Sequence, residues 1–196
     1  MNLLSSGAPA DICLTTVPLG SLQGWTLERE GLRRAEEVGF AGGVRMFAIQ
    51  SPRREVKAWD QPFLMPAQEE RACLFLADLD GHLRIALRTV AEPGFNGRRE
   101  FGPSFQTDGD CPEEVREVAE DPALSPIVSV RQSDEGGRFL RSVMRYDAVV
   151  ICDSRAEVLG DRVTWVSLGE MEWLCRTPTA TTNELRSAVS VLLSLA

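Results

Sequence analysis

The chain has 196 residues, 43% of them hydrophobic and 26% charged, with a formal net charge of -8 and a pI near 4.8. That length can bury a core without staples, and one domain is the expectation. No apolar run approaches the roughly 20 residues that span a bilayer. The acidic balance excludes a basic stripe for nucleic acid. Met1 to Cys13 has neither a basic start nor an apolar h-region, so no secretion signal is expected.

The cationic side chains are nearly all of one kind, twenty Arg against Lys57 alone. Any positive site is therefore built from guanidinium forks, which suit bidentate recognition of phosphate. The five cysteines at 13, 73, 111, 152 and 175 are odd in number and form no CxxC. This argues against a disulfide framework or zinc site and for a reducing, cytoplasmic setting. His82 is the only histidine, which leaves little room for a multi-histidine metal site or a Ser-His-Asp triad.

Taken in order, residues 1–23 read as an irregular lead-in, with one domain over 24–196. Leu27 to Val38 carries mixed charge and reads as a short helix or turn, broken by Ala41-Gly42-Gly43. Val44 to Gln50 reads as a strand, and Arg54 to Trp59 as the next. Arg71 to Leu79 and His82 to Val90 flank Asp80-Gly81, a two-residue hairpin signal, because a type I′ turn needs positive φ at both central positions. Residues 91–125 are loop-rich, with a short acidic helix over 110–121 and Pro112 in its first turn. Ile127 to Arg131, Tyr146 to Ile151 and Arg162 to Val166 read as further strands. Ser167 and Glu170 have capping-box spacing before one helix, and Thr181 and Glu184 before another. In the second, Leu185, Ala188, Val189 and Leu192 form an i, i+3, i+4, i+7 stripe. Strands first and helices last give an α+β class, a mixed β-sheet domain with flanking helices and a C-terminal amphipathic helix.

The densest polar stretch is Gln132-Ser133-Asp134-Glu135-Gly136-Gly137-Arg138-Phe139, followed by Arg145 and Tyr146, the only tyrosine. It reads either as a solvated hairpin loop or as a site where glycines let the backbone approach a ligand faced by arginines and a carboxylate. There is no P-loop, no GxGxxG and no Nudix box. A metal-free polar set remains, comprising Glu92, Gln106, Glu135, Arg138, Arg145, Tyr146 and the tryptophans.

Several blocks then match together and in order. They are Arg54-Glu55-Val56 with Trp59-x-Gln61-Pro62, Glu92-Pro93-Gly94, Gly102-Pro103-x-x-Gln106 and the Gln132 to Phe139 stretch. Arg145-Tyr146, the Trp165 strand with Leu168, and Asn183 before the last helix complete them. The combination resembles one repeat of the NDP-hexose 2,3-dehydratase family, from about Gly24 onward. The resemblance implies a Nudix-like fold and removal of water across C2 and C3 of a nucleotide-linked 4-keto-6-deoxyhexose, usually the thymidine diphosphate sugar. It implies deoxysugar and antibiotic biosynthesis, without metal or organic cofactor. By motif, Glu135 and Tyr146 would be base and acid or enolate donor. Trp59 and Gln61 would line the substrate site, Arg138 and Arg145 would hold the diphosphate, and Glu92, Gln106 and Gln132 would give polar support. Members carry two such repeats, so a single one is expected to pair as a two-fold homodimer. The alternatives are a repurposed isomerase or cyclase acting on a polyketide-like or other secondary-metabolite intermediate, and a non-catalytic ligand-binding subunit.

Overall fold

The computed structural model describes residues 12–37, 41–95, 99–107, 110–133 and 135–195. Val38, at the end of the expected first helix, and Asp134, in the polar stretch, lie outside them, as does the lead-in before Ile12. The chain gathers into two compact units, one of residues 15–69 and 132–144, the other built mainly of 70–131 and 145–195.

The smaller unit is a four-stranded antiparallel meander in the order β1 (Trp25–Glu28), β2 (Gly31–Arg34), β3 (Val44–Gln50) and β4 (Ala58–Leu64). The helix or turn expected over 27–38 is instead the β1–β2 hairpin. Its Leu, Glu and Arg residues favour helix intrinsically, but that preference is small and ladder pairing overrides it. Gly31 shows how close the pairing is. Its φ is +157°, and a Cβ there would stand 2.0 Å from the Val44 carbonyl oxygen. The strand expected at Arg54 begins only at Ala58. Residues 54–57 form a bend closed by Ser51 N–H donating to Lys57 O at 2.9 Å. One face of the meander carries an apolar row across all four strands, Leu27 opposite Leu32, Leu32 opposite Val44, and Val44 opposite Leu64. The ends of the row, Leu27 and Leu64, are exposed.

The larger unit is built on a seven-stranded sheet. Its main path is β11 (Thr164–Val166), β6 (His82–Val90), β5 (Glu70–Leu79), β10 (Val143–Val150) and β9 (Val128–Ser133). The β5–β6 turn is the expected one, with Asp80 at φ 56° and Gly81 at 76°. These strands pair only from Leu76–Ile85 to Leu79–His82 and then part. Into the fork come β7 (Glu100–Gly102), which pairs with β6, and β8 (Phe105–Gln106), which pairs with β5. Ser104, wholly buried between those two short strands, bridges the fork. Its hydroxyl accepts from Phe75 N–H at 2.8 Å and donates to Ala86 O at 2.6 Å.

Alternation along β5 sorts its residues between two layers. Cys73, Phe75 and Ala77 pack with Val115, Val118 and Ala119 of α1 (Glu113–Glu120) and with Ala156 and Leu159 of α2 (Asp153–Leu159). Ala72, Leu74 and Leu76 point to the opposite face, where α4 (Asn183–Leu193) packs on β5 and α3 (Leu168–Arg176) on β6. The capping box of α3 is present, since Ser167 Oγ accepts from Glu170 N–H while the Glu170 carboxylate accepts from Ser167 N–H at 2.7 Å. The cap of α4 is one residue later than expected. Thr182, not Thr181, accepts from Leu185 N–H. Pro112 sits at the N-cap of α1, just before the first turn. The stripe of α4 is buried at Leu185, Ala188 and Val189.

Candidate functional site

The expected site residues fall in both units. In the smaller one, Trp59, Gln61 and Phe63 alternate onto one face of β4. Trp59 Nε1–H donates to Gln61 Oε1 at 3.0 Å, and the Gln61 amide donates in turn to the Gly137 carbonyl. The chain around Gly137 is itself tied to the end of β4. Leu64 N–H donates to Arg138 O at 2.8 Å, and Leu140 N–H donates to Leu64 O at 3.0 Å. A side-chain relay and two backbone bonds thus fix the turn that carries Glu135 and Arg138.

Within that turn the expected base and the expected diphosphate ligand are partners. Arg138 Nε donates to Glu135 Oε2 at 2.6 Å and Nη2 lies 2.5 Å from the same oxygen. Both side chains are exposed, and the guanidinium also lies 5.5 Å from the Phe139 ring centroid. Arg138 would have to share or leave Glu135 to take a phosphate. The glycines beside them do not require glycine, because both avoid positive φ and a Cβ on either meets nothing within 4 Å. Gln132 is exposed on β9. Next to Trp59, an open hollow of about 440 Å³ is lined by Arg54, Glu55, Val56 and the indole, with the Arg54 guanidinium 5.5 Å from the indole centroid.

In the larger unit, Arg145 and Tyr146 are neighbours on β10 and so point to opposite faces of the sheet. Tyr146 is buried on the face that α3 and α4 cover, and so is Gln106 on β8. Glu92 is exposed in a turn closed by Phe95 N–H donating to Glu92 O. Arg145 faces the α1–α2 side, where sequence reasoning missed two further charged residues. Asp147, 4% exposed, takes Arg71 Nε on its Oδ2 at 2.5 Å, while Arg71 Nη1 donates to Ala119 O at 2.8 Å. Arg145 Nε lies 3.3 Å from the same Oδ2. The available signal was an aspartate inside an otherwise apolar strand, two residues after an arginine. Cys73 lies on this face, and burial pushes its thiol up to about 12, against the lowering effect of Arg71. It is an inert core residue.

Among the described residues no group of three or more His, Cys, Asp and Glu is placed to hold a metal ion. No described helix is long and apolar enough to cross a membrane.

The profile of the NDP-hexose 2,3-dehydratase family matches residues 5–192. The chain belongs to the NDP-hexose 2,3-dehydratase family. A curated relative, a dTDP-4-dehydro-6-deoxy-alpha-D-glucopyranose 2,3-dehydratase of Saccharopolyspora spinosa, is 26% identical over 191 residues. The match takes in 92% of this chain but 39% of the relative, so this family member spans about two-fifths of that protein's length. Among solved structures, an ADP compounds hydrolase aligns with a TM-score of 0.50 at 18% identity, over 89% of this chain and 95% of that one. This likeness shows the Nudix-like mixed α and β fold and nothing about activity. A C. elegans Ap4A hydrolase aligns at a TM-score of 0.42 and 14% identity, over 65% and 96% of the two chains.

Proposed function

We propose that this family member serves deoxysugar biosynthesis as a hydro-lyase that removes water across C2 and C3 of a nucleotide-linked 4-keto-6-deoxyhexose. The observation that carries this reading is the family match over residues 5–192. The relative is named for a thymidine diphosphate sugar, which supplies the substrate class.

The chemistry needs three things of the protein. A base takes the C3 proton, which the C4 ketone acidifies. Hydrogen-bond donors stabilise the enolate that forms. An acid protonates the departing C2 hydroxyl. The Glu135 carboxylate is our base and the Tyr146 phenol our acid or enolate donor, a role that requires β10 to turn the buried phenol toward the face of Arg145. Glu135 pairs with Arg138 across an exposed contact, and a diphosphate that takes Arg138 leaves the carboxylate free to meet the C3 proton. Arg138 and Arg145 hold the diphosphate, Trp59 and Gln61 line the sugar, and Glu92, Gln106 and Gln132 lend polar support.

The test is turnover of thymidine diphosphate 4-keto-6-deoxyglucose, followed by mass loss of water. Glu135→Gln should lower kcat by about a hundredfold or more, as loss of a positioned base does. Full turnover by Glu135→Gln together with Tyr146→Phe would remove the role assignment. Thermal shift with thymidine diphosphate tests the substrate class separately, since a ligand that binds only the folded state raises Tm.

The assembly we infer is a two-fold homodimer. The apolar row from Leu27 to Leu64, exposed at both ends, supports it, because such a row gains from a cover. A monomer by light scattering at micromolar concentration would overturn it.

A further inference from the structure

The Arg71, Asp147 and Arg145 cluster holds two guanidiniums and one carboxylate, so it carries one positive charge beyond neutrality. Arg71 is spent. Its Nε sits on Asp147 Oδ2, its Nη1 on the last-turn carbonyl of α1, and its guanidinium lies 5.7 Å from the Phe105 ring centroid. The surplus therefore belongs to Arg145, whose side chain is about one-third exposed.

The geometry around Arg145 is unfinished in a specific way. Its buried Nε lies 3.3 Å from Asp147 Oδ2 but makes no hydrogen bond among the described residues, and buried Asp147 Oδ1 accepts none from them. A buried donor and a buried acceptor left unmet within one cluster are costly unless the bound state uses them. Asp147 cannot turn away, because Arg71 pins its other oxygen from a neighbouring strand. Arg145 can turn. A small rotation joins its Nε edge to the carboxylate and presents the two Nη groups outward as a fork, the geometry that grips a phosphoryl group bidentately.

We propose that Asp147, fixed by Arg71, is the positioning residue of an anion site at Arg145, and that the anion is a phosphoryl group of a nucleoside diphosphate. This rests on the reading above that Arg145 takes the diphosphate, and it adds what aims the arginine. Asp147 touches no substrate. It acts by holding the Nε edge so that the Nη edge faces the ligand.

The test turns on sign. If Asp147 only neutralises charge, Asp147→Asn adds one positive charge to the cluster and tightens anion binding. If Asp147 positions Arg145, the same change weakens binding despite the added charge. Calorimetric titration with thymidine diphosphate and with inorganic diphosphate should show Asp147→Asn weaker by about tenfold or more for both probes. Arg145→Lys should be as weak, and adding Asp147→Asn to Arg145→Lys should cost nothing more. Asp147→Glu should restore part of the loss. Unchanged or tighter binding by folded Asp147→Asn overturns the proposal. Should Asp147→Asn fail to fold, Arg145→Lys against Arg145→Gln decides. Lys as weak as Gln supports positioning, and Lys equal to wild type overturns it.

The two readings separate in the same titrations. Thymidine diphosphate binding untouched by every Arg145 variant sinks this proposal and leaves the sugar-nucleotide reading standing. Inorganic diphosphate binding with the predicted pattern, and no binding of the nucleotide, overturns the nucleoside diphosphate as ligand and the sugar-nucleotide reading with it. Binding of neither probe by the wild type overturns the anion site.

Discussion

Two arginine–carboxylate pairs, one in each unit, use the same chemistry in opposite surroundings. Arg71–Asp147 lies under α1 in a clad sheet, with the aspartate side chain 3% exposed. Arg138–Glu135 lies on a turn beside an open meander, with side chains 64% and 44% exposed. In the first pair the solvent has been removed, so each charge depends on the other. In the second, water screens the attraction and can replace either partner. Burial therefore locks the first pair together, and exposure leaves the second free to exchange partners. The contrast extends beyond the pairs. The larger unit fixes its residues by packing, whereas the smaller one fixes its turn by hydrogen bonds from Gln61, Leu64 and Leu140.

Five substitutions test the contrast, in falling order of expected loss. Asp147→Ala leaves two guanidiniums without their carboxylate and should cost about 3–5 kcal/mol in urea unfolding. A loss below about 1 kcal/mol, the range of surface pairs, would put both pairs in one class. Gly31→Ala should be the severest small change in the smaller unit. Its methyl would meet the Val44 carbonyl at 2.0 Å, and overpacking of this kind costs about 1–3 kcal/mol. A wild-type midpoint would mean that the β2–β3 approach is looser than described.

Ser167→Ala should cost about 1 kcal/mol through loss of the α3 cap. It should also flatten one limb of the pH–stability curve. Hydrogen bonds to Glu170 from the Ser167 backbone and then its hydroxyl hold that carboxyl below its usual range. A depressed folded-state value means that the contribution is fully present above the unfolded carboxyl's value and is lost as pH falls through the folded one. The variant should therefore lose less on acidification than the wild type, measured as Tm against pH. Smallest of all, Arg138→Gln should change stability by less than about 1 kcal/mol. Gly137→Ala should stay within about 0.5 kcal/mol, since open space surrounds its missing Cβ. A large loss from either would show that the exposed turn is held as tightly as the buried pair.

The same division governs what could be read from the sequence. The Asp80–Gly81 hairpin and the apolar stripe of α4 were legible because each rests on a local rule, positive φ in one case and helical period in the other. The β1–β2 hairpin was not, because its residues favour helix and only pairing to β3 decides otherwise. The helix α2 was missed for want of a cap. No side chain caps it at Cys152, and it is seven residues long. Of the expected site residues, motif order picked out Trp59, Gln61, Glu135 and Arg138 in one unit, where the structure joins the first two to the Gly137 turn. It could not say that Arg145 and Tyr146 point apart until the register of β10 was known. Asp147 and Arg71 escaped because their meaning lies in a contact between residues 76 apart in the chain.

The Ser104 bridge bears on the order in which the larger unit assembles. The β5–β6 hairpin can zip from its own turn without help, since it needs only local contacts. It must halt where the strands part at Phe75 and Ala86, because neither has a backbone partner across the fork. Beyond that point each strand waits for Glu100–Gln106 to arrive as a wedge. The hydroxyl that closes the fork would then be in place at the folding barrier. Stopped-flow refolding tests this, and we expect Ser104→Ala to slow folding more than it speeds unfolding. An effect confined to the unfolding rate would mean that the wedge docks last.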